Sequence, residues 1–411
     1  MTSQPSTPSL HVVTTTAELA LACDRLARHS YVTVDTEFMR ETTYYPKLCL
    51  IQVASTDEAL IIDPLAADLD LEPFFALLRD ERIVKVFHAA RQDIEIFWHM
   101  AQTIPKPLFD TQVAAMVCGY GDQVGYEQLA NDLGKAKIDK TQRFTDWSRR
   151  PLSEAQLSYA QADVTHLRAV YEALAGQLAA SGRKSWLTED MAILEASSTY
   201  ETKPEDAWQR LGGRLKKQRD LGVLIEVAAW REREAQKRDV PRQRILRDDA
   251  LMEVVQARPQ NLEALSRLRS VSQGLERSRA GQALLASVER GLAIDPKALP
   301  RLDRRGRSPR HDSTVEFLKV LLKIVSQQTD VASKIIATVA DLEAIAEGDE
   351  EPIAALSGWR GEIFGNLALA AIAGRVALAL EGGEPKIISL DAEDAASARA
   401  SETPPRQARV A

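Results

Sequence analysis

Asp35 and Glu37 stand in the stretch YVTVDTEF, directly after an apolar, β-branched run. Residues i and i+2 of a strand share a face, so the two carboxylates project together. Asp93 stands in VFHAARQDIEIF, where a strand-like run passes through His-Ala-Ala into a helical pattern beginning near Arg91. Tyr159 and Asp163 stand in LSYAQADVTHL, four apart in a helical segment and therefore on one face. Taken singly, each has a plainer reading. The first pair suits a solvated strand end, Asp93 suits a carboxylate favoured by a helix macrodipole, and the last pair suits a buried phenol bonded to a helix carboxylate. Taken together, four acids and a phenol point to metal chemistry. Clustered carboxylates repel unless cations neutralise them, and hard Mg²⁺ or Mn²⁺ takes oxygen ligands. Two such ions ~4 Å apart would clamp an in-line phosphodiester displacement, one activating water and one stabilising the leaving oxygen. That is the chemistry of a nuclease.

Such residues need strands and helices to hold them. Short β-branched runs at His11 to Val13, Tyr31 to Val34, Leu48 to Val53, Ala59 to Ile62 and Ile83 to Phe87 are bounded by turn or charged residues, as strands are. Helical patterns lie at about 17–28, 71–79, 92–100, 111–118, 126–133 and 153–180. Three strands in succession and then alternation predict a mixed sheet covered by helices. Beyond about residue 200 the strand signals stop. Helices are expected near 205–219, 222–237, 247–256 and 261–266, with Pro204, Pro241 and Pro259 at or near their starts. A basic stretch at Leu299 to Pro309 reads as a linker, and a second helical block runs from about Ser313 to Leu380. Residues 1–9 and the Ala-, Glu-, Ser- and Pro-rich end from about 383 carry too little apolar surface to order themselves.

The 411 residues, 45% hydrophobic and 27% charged, have ordinary globular composition, which excludes collagen-like, disulfide-scaffold and wholly disordered classes. Cys23, Cys49 and Cys118 show no CxxC or His-partnered spacing, so free thiols in a reducing cytoplasm are expected. No uncharged apolar run reaches the ~18 to 20 residues that span a bilayer, and the start lacks the features of a signal peptide. The net charge of −7 hides an asymmetry. Residues 1–202 carry 18 Lys and Arg against 28 Asp and Glu, residues 203–310 carry 25 against 15, and the remainder carries 9 against 16. One module is therefore expected to hold a polyanion while another uses carboxylates, the plainer alternative being a solvated basic helical surface. Nothing in the sequence names a protein partner, and a monomer is expected.

The segments VDTEFMRETTYYPKLCLIQ (34–52), HAARQDIEIF (88–97), FDTQVAA (109–115), IDKTQRFTDWSRRPLS (138–153) and YAQADV (159–164) resemble the ribonuclease D family, in the DEDDy branch of 3'-to-5' exonucleases. The resemblance implies an RNase-H-like α/β exonuclease domain, a mixed sheet flanked by helices, followed by two all-α helical bundles. It implies two divalent ions, Mg²⁺ or Mn²⁺. Asp35, Glu37 and Asp163 would ligate one, and Asp35 would bridge to the second with Asp93 in support. It assigns Tyr159 to hold the attacking water. A phenol with pKa ~10 is a poor base at neutral pH, so Tyr159 is expected to orient that water rather than deprotonate it. By the same resemblance Thr36 and Phe38 would meet the terminal nucleotide, Phe38 as plain core being the alternative. His88, Lys140 and Arg150 would contact phosphates, structural or ordinary surface roles being the alternatives.

Residues 203–284 resemble the helicase-and-ribonuclease-D C-terminal (HRDC) module through KPEDAWQRLGG, the long LIEVAAWREREAQKRDVPRQRILRDDALMEVV stretch and NLEALSRL. Lys216, Lys217, Arg219, Arg242 and Arg244 supply phosphate-directed charge there, the kind of contact that gives salt-dependent, sequence-independent affinity. HDSTVEFLKVLLKIVSQ and LSGWRGEIFG carry a fainter likeness in the second block. The expected organisation is 1–9 flexible, 10–202 exonuclease, 203–284 HRDC, 285–312 linker, 313–382 second HRDC-like domain and 383–411 disordered tail. The expected activity is trimming of 3' ends of tRNA precursors and other small structured RNAs, with release of nucleoside 5'-monophosphates. A DNA exonuclease of repair and a non-catalytic nucleic-acid scaffold are the alternatives. Parallel RNA and DNA digestion separates the first, and metal-dependent stabilisation lost in Asp35→Asn separates the second.

Overall fold

The computed structural model describes residues 11–138, 141–215, 217–300, 309–349 and 352–390, so the expected flexible residues 1–9 lie outside it. A six-stranded sheet is built from β1 (His11–Val13), β2 (Tyr31–Met39), β3 (Lys47–Ala54), β4 (Ala59–Ile62), β5 (Val84–Phe87) and β6 (Leu108–Asp110) in the order β1-β4-β3-β2-β5-β6. It is mixed, as expected: β1 runs parallel to β4, β3 antiparallel to both β4 and β2, and β2 parallel to β5. β2 and β3 bury nearly every side chain along their apolar stretches, which places them mid-sheet.

β2 runs to Met39, five residues beyond the expected end at Val34, so Asp35 and Glu37 lie within a strand and not after it. The polar residues interrupt the apolar run but not the ladder, since Asp35 pairs with Gln52 and Glu37 with Leu50. A bulge follows between Glu37 and Phe38, a device that re-aims side chains beside sites. β6, three residues long, has too short a pattern to be read from sequence.

The helices of this part of the chain are α1 (Thr16–Leu26), α2 (Glu72–Arg79), α3 (Arg91–Ala101), α4 (Thr111–Val117), α5 (Tyr126–Gly134), α6 (Glu154–Ala180) and α7 (Thr188–Leu194). Fixed starts are visible where polar caps exist: Thr15 accepts from the Glu18 amide, and Asp110 from those of Gln112 and Val113. Phe74 of α2 and Phe97 of α3 meet edge-on at 5.5 Å in the core beside β5.

The first helical block contains α8 (Gln209–Gly212), α9 (Leu221–Arg238), α10 (Arg242–Ile245), α11 (Asp248–Ala257), α12 (Leu262–Ser266) and α13 (Arg279–Ala293), closed over Leu224, Val227, Leu251, Val255, Leu265, Leu284 and Val288. The helix expected at 205–219 is broken into α8 and two 3₁₀ turns, at Pro204–Asp206 and Gln218–Asp220. The block also outruns the expected boundary at 284, and the expected linker loses its first residues to α13. Gly281 and Gly291 serve close packing. A Cβ on Gly291 would stand 2.5 Å from the Val223 Cα, so α13 meets α9 backbone to backbone.

The second block comprises α14 (Pro309–Thr329), α15 (Ser333–Ile336), α16 (Val339–Glu347), α17 (Gly358–Arg360), a π-turn at Gly361–Gly365 and α18 (Asn366–Ile372). It is not all-helical. A hairpin of β7 (Val376–Glu381) and β8 (Glu384–Ser389) closes it, occupying the end of the expected helical block and the start of the expected disordered tail. Gly382 and Gly383, both at positive φ (64° and 89°), supply the two-residue turn that a right-twisted hairpin needs. The rest of that tail, 391–411, lies outside the described residues.

The described chain forms two compact units. One draws on Met1–Phe109, Ile138–Arg168 and Ala192–Arg304, so the sheet and the first helical block belong together. The other draws on Asp110–Lys137, Ala169–Met191 and Arg305–Ala411. Within it, Arg360 donates to Glu189 (2.5 Å), Asp190 (2.6 Å) and the Ile335 carbonyl (2.7 Å), while Trp186 and Trp359 stack at 4.5 Å.

Candidate active site

The register of β5 on β2 sets the site. Tyr31, Val32 and Thr33 pair with Val84, Lys85 and Val86, so β5 ends beside the stretch of β2 that leads into the acids. The chain turns at Ala89, in the left-handed region at φ 58°, and launches α3, whose third residue is Asp93. A small side chain limits the steric cost of that conformation. Asp93 is thereby returned to the level of Thr36, whose hydroxyl donates to its carboxylate.

α6 lies across the sheet on its small residues. Ala160 packs with Cys49, Leu50, Ile61 and Trp147, and Val164 with Ala54 and Ala59. The Thr33 hydroxyl donates to the Val164 carbonyl at 2.8 Å, tying helix to strand. With that face fixed, Tyr159 and Asp163, one turn apart, are aimed at Asp35 and Glu37, and the Tyr159 hydroxyl donates to Asp163.

The electrostatics show that the five groups share one site. Burial, and then the charges of Asp35, Asp163 and Asp93, push Glu37 up to about 10. Burial and the charge of Asp35 push Asp163 up to about 8, against the pull of the Tyr159 hydroxyl. Burial raises Asp35 to about 6, opposed by the Thr36 amide, and Tyr159 is raised by burial and the surrounding acids. Asp35 and Glu37 keep part of their surface open while Asp93 and Asp163 are buried. Among the described residues, no three acidic, His or Cys side chains already stand at gripping distance around a point. The donor set nevertheless fits a divalent ion. These are hard carboxylate oxygens, and their mutual repulsion makes full ionisation costly without a cation.

Arg143 completes the site and was not singled out by the sequence. Its charge opposes the rise at both Glu37 and Asp163. In sequence it is one cation in a segment with several, which is why spacing alone did not find it.

The remaining expected residues divide. Phe38 is half-buried just past the bulge, and His88 is half-buried at the end of β5. Thr36 is buried, its hydroxyl turned to Asp93. Lys140 and Lys216 lie outside the described residues. Arg150 is corrected. All five of its N–H groups are taken by Asp63 (both oxygens at 2.6 Å) and by the carbonyls of Cys49, Trp147 and Arg149, leaving no donor for a phosphate. Arg242 is engaged through its Nε and Nη2, which bond Glu232 and the Tyr44 hydroxyl. It pairs with Glu232 at 2.6 and 2.8 Å and lies 5.2 Å over the ring of Tyr44, which itself donates to Glu232. The amides of Tyr44 and Tyr45 donate to Asp239, each at 3.0 Å, so the β2–β3 loop is tied to the end of α9. Lys217, Arg219 and Arg244 remain exposed.

The family model for 3'-5' exonucleases matches residues 10–179 and that for the HRDC domain matches 220–288. The chain is 54% identical over 374 residues to ribonuclease D of Nitrobacter hamburgensis, covering 91% of this chain and 98% of that one. It is 47% identical over 385 residues to ribonuclease D of Granulibacter bethesdensis, covering 93% and 97%. A crystal structure of Escherichia coli RNase D, an exoribonuclease involved in structured RNA processing, superposes with TM-score 0.78 at 30% identity, covering 88% of this chain and 99% of that one. The catalytic core of RRP6 from Trypanosoma brucei shares the fold, with TM-score 0.54 at 21% identity. With its acids and tyrosine brought together from β2, α3 and α6, and with 91% and 93% of its length matched by the two ribonuclease D relatives, this chain belongs to the ribonuclease D family of metal-dependent 3'-to-5' exoribonucleases.

Proposed function

We propose that the protein trims the 3' ends of tRNA precursors and other small structured RNAs, releasing nucleoside 5'-monophosphates. The observation that carries this reading is the common field of Asp35, Glu37, Asp93 and Asp163, with Tyr159 bonded to Asp163. The structured-RNA processing of the Escherichia coli relative supports the substrate class.

Asp35, Glu37 and Asp163 would hold one divalent ion, Mg²⁺ or Mn²⁺, and Asp35 with Asp93 a second. Such ions acidify water and stabilise charge on the leaving oxygen. The chain's own groups do the rest. The Thr36 hydroxyl fixes the Asp93 carboxylate, Asp163 accepts from Tyr159 and so sets the direction of the phenol, and the phenol oxygen accepts a hydrogen from the attacking water. Raised above its ordinary value, Tyr159 keeps its own proton throughout and orients rather than deprotonates. The 10–202 region would carry this chemistry. Lys217, Arg219 and Arg244 in the first helical block would hold the RNA backbone, with the protein working as a cytoplasmic monomer.

A time course on a 3'-tailed tRNA precursor with Mg²⁺, run beside DNA of the same sequence, tests the reading. Stepwise loss from the RNA 3' end with release of 5'-monophosphates is expected. Loss of the DNA alone moves the function to repair.

A further inference from the structure

Phe144 is 91% exposed, the highest value among the exposed large apolar side chains of the described residues, with Leu380 next at 75%. An isolated apolar side chain at a surface needs no explanation, but this one stands in an ordered segment one residue from a group that faces the catalytic acids. Trp147, three residues on, is 2% exposed and packs with Ala160 of α6. Thr145 is held on both sides, its hydroxyl donating to the Gln142 carbonyl at 2.8 Å and accepting from the Gln156 side chain at 3.1 Å. The segment is thus pinned on either side of the ring while the ring itself is left in water.

The Arg143 guanidinium links the ring to the chemistry. It lies 5.4 Å from the Phe144 centroid and its charge acts on Glu37 and Asp163. The segment lies beside the site, with the Trp147 ring 6.0 Å from that of Tyr159, and it offers a cation and an exposed aromatic face next to the acids. A nucleic-acid strand presents complementary groups, with phosphate at the acids and their ions, phosphate again at the cation and a base at the ring. The terminal nucleotide is taken up at the acids and their ions, so a base that meets the ring beside Arg143 belongs to a nucleotide upstream of it.

We propose that Phe144 is a stacking platform for an upstream base of the RNA strand, a positioning residue that selects substrates whose last few nucleotides are unpaired. This rests on the exoribonuclease activity, which wild-type turnover on the same RNA tests separately.

The experiment compares a single-stranded RNA tail with the same RNA carrying abasic residues at the second and third positions from its 3' end. Stacking on an aromatic side chain contributes enough that wild type is expected to show a KM roughly 5- to 150-fold lower for the intact RNA. Phe144→Ala is expected to lose that preference, whereas Phe144→Trp keeps it. The proposal is overturned if wild type does not distinguish the two RNAs, or if Phe144→Ala retains the preference. It is equally overturned if Phe144→Leu retains the preference in full, since that would make the ring mere apolar cover. A fall of the same factor on both RNAs in Phe144→Ala, with the preference intact, points to local disordering and also rejects it.

Discussion

The hydroxyl of Thr36, set between the two acids of β2, donates to the carboxylate of Asp93 on α3. A strand residue thereby orients an acid that arrives from another element, and both groups are buried. Replacing Thr36 with Val keeps the shape and removes the donor. Partners that orient metal-holding carboxylates are expected to matter by about 10- to 100-fold in metal affinity or activity. Thr36→Val is therefore expected to need that much more Mg²⁺ for half-maximal turnover, with Thr36→Ser near wild type; a Mg²⁺ titration of activity checks it.

Tyr159→Phe is expected to lower kcat by roughly 10²- to 10⁴-fold, the range for a lost proton-handling or water-orienting group. The acids remain, so stabilisation by Mg²⁺ should persist. Turnover and Mg²⁺-dependent melting measured on the same preparation check this, and unchanged turnover removes Tyr159 from the mechanism.

The raised acids make stability depend on pH. Glu37 at about 10 and Asp163 at about 8 keep protons in the folded chain that the unfolded chain releases nearer their ordinary 4.5 and 3.8. Between those limits the folded state binds more protons than the unfolded one, so metal-free protein loses stability as pH rises from about 5 to 8 and regains it as pH falls. A divalent ion takes the place of those protons. The rise in Tm on adding Mg²⁺ should accordingly be larger at about pH 8 than at about pH 5.5, and the metal-free slope should flatten in Glu37→Gln. Thermal scans at the two pH values decide the matter.

Arg150 and Asp63 form a two-pronged pair whose side chains are only 27% and 12% exposed. Arg150→Ala leaves a partly buried carboxylate without its cation and is expected to cost about 2 to 4 kcal/mol of stability. The salt dependence of RNA binding should not change, because no phosphate contact is lost. Chemical denaturation and binding at several salt concentrations check the two halves.

In the first helical block the exposed and the tied cations should behave differently. Lys217→Ala, Arg219→Ala and Arg244→Ala are each expected to flatten the slope of log affinity against log salt by about 0.7 on single-stranded RNA. Arg242→Ala should leave the slope unchanged and lower Tm, since its partners are Glu232 and Tyr44.

Much of this was legible in the sequence, for a reason that also explains what was not. Alternation along a strand puts Asp35 with Glu37, and a four-residue helical step puts Tyr159 with Asp163; both follow from neighbours along the chain. The apolar runs of β1, β4 and β5 are local in the same way, and their bounds agree with the structure to within a residue. The hairpin of β7 and β8 escaped because an Ala- and Leu-rich run suits helix as well as strand. Only the Gly382–Gly383 turn and pairing with the following residues settle it. The fate of each cation was likewise not local. Arg143, Arg150 and Arg242 are chemically alike in sequence, yet the first faces the acids, the second meets Asp63 87 positions away, and the third lies over Tyr44 198 positions away. The sequence by itself determined which acids and which phenol share a face of a strand or a helix, and the local elements that bear them, because those depend on spacings of two to four residues. Which acids share one field, which hydroxyl holds Asp93 and which arginines stay open to a substrate were decided by tertiary structure alone, because charge pairing and burial depend on distances in space that chain separation does not encode.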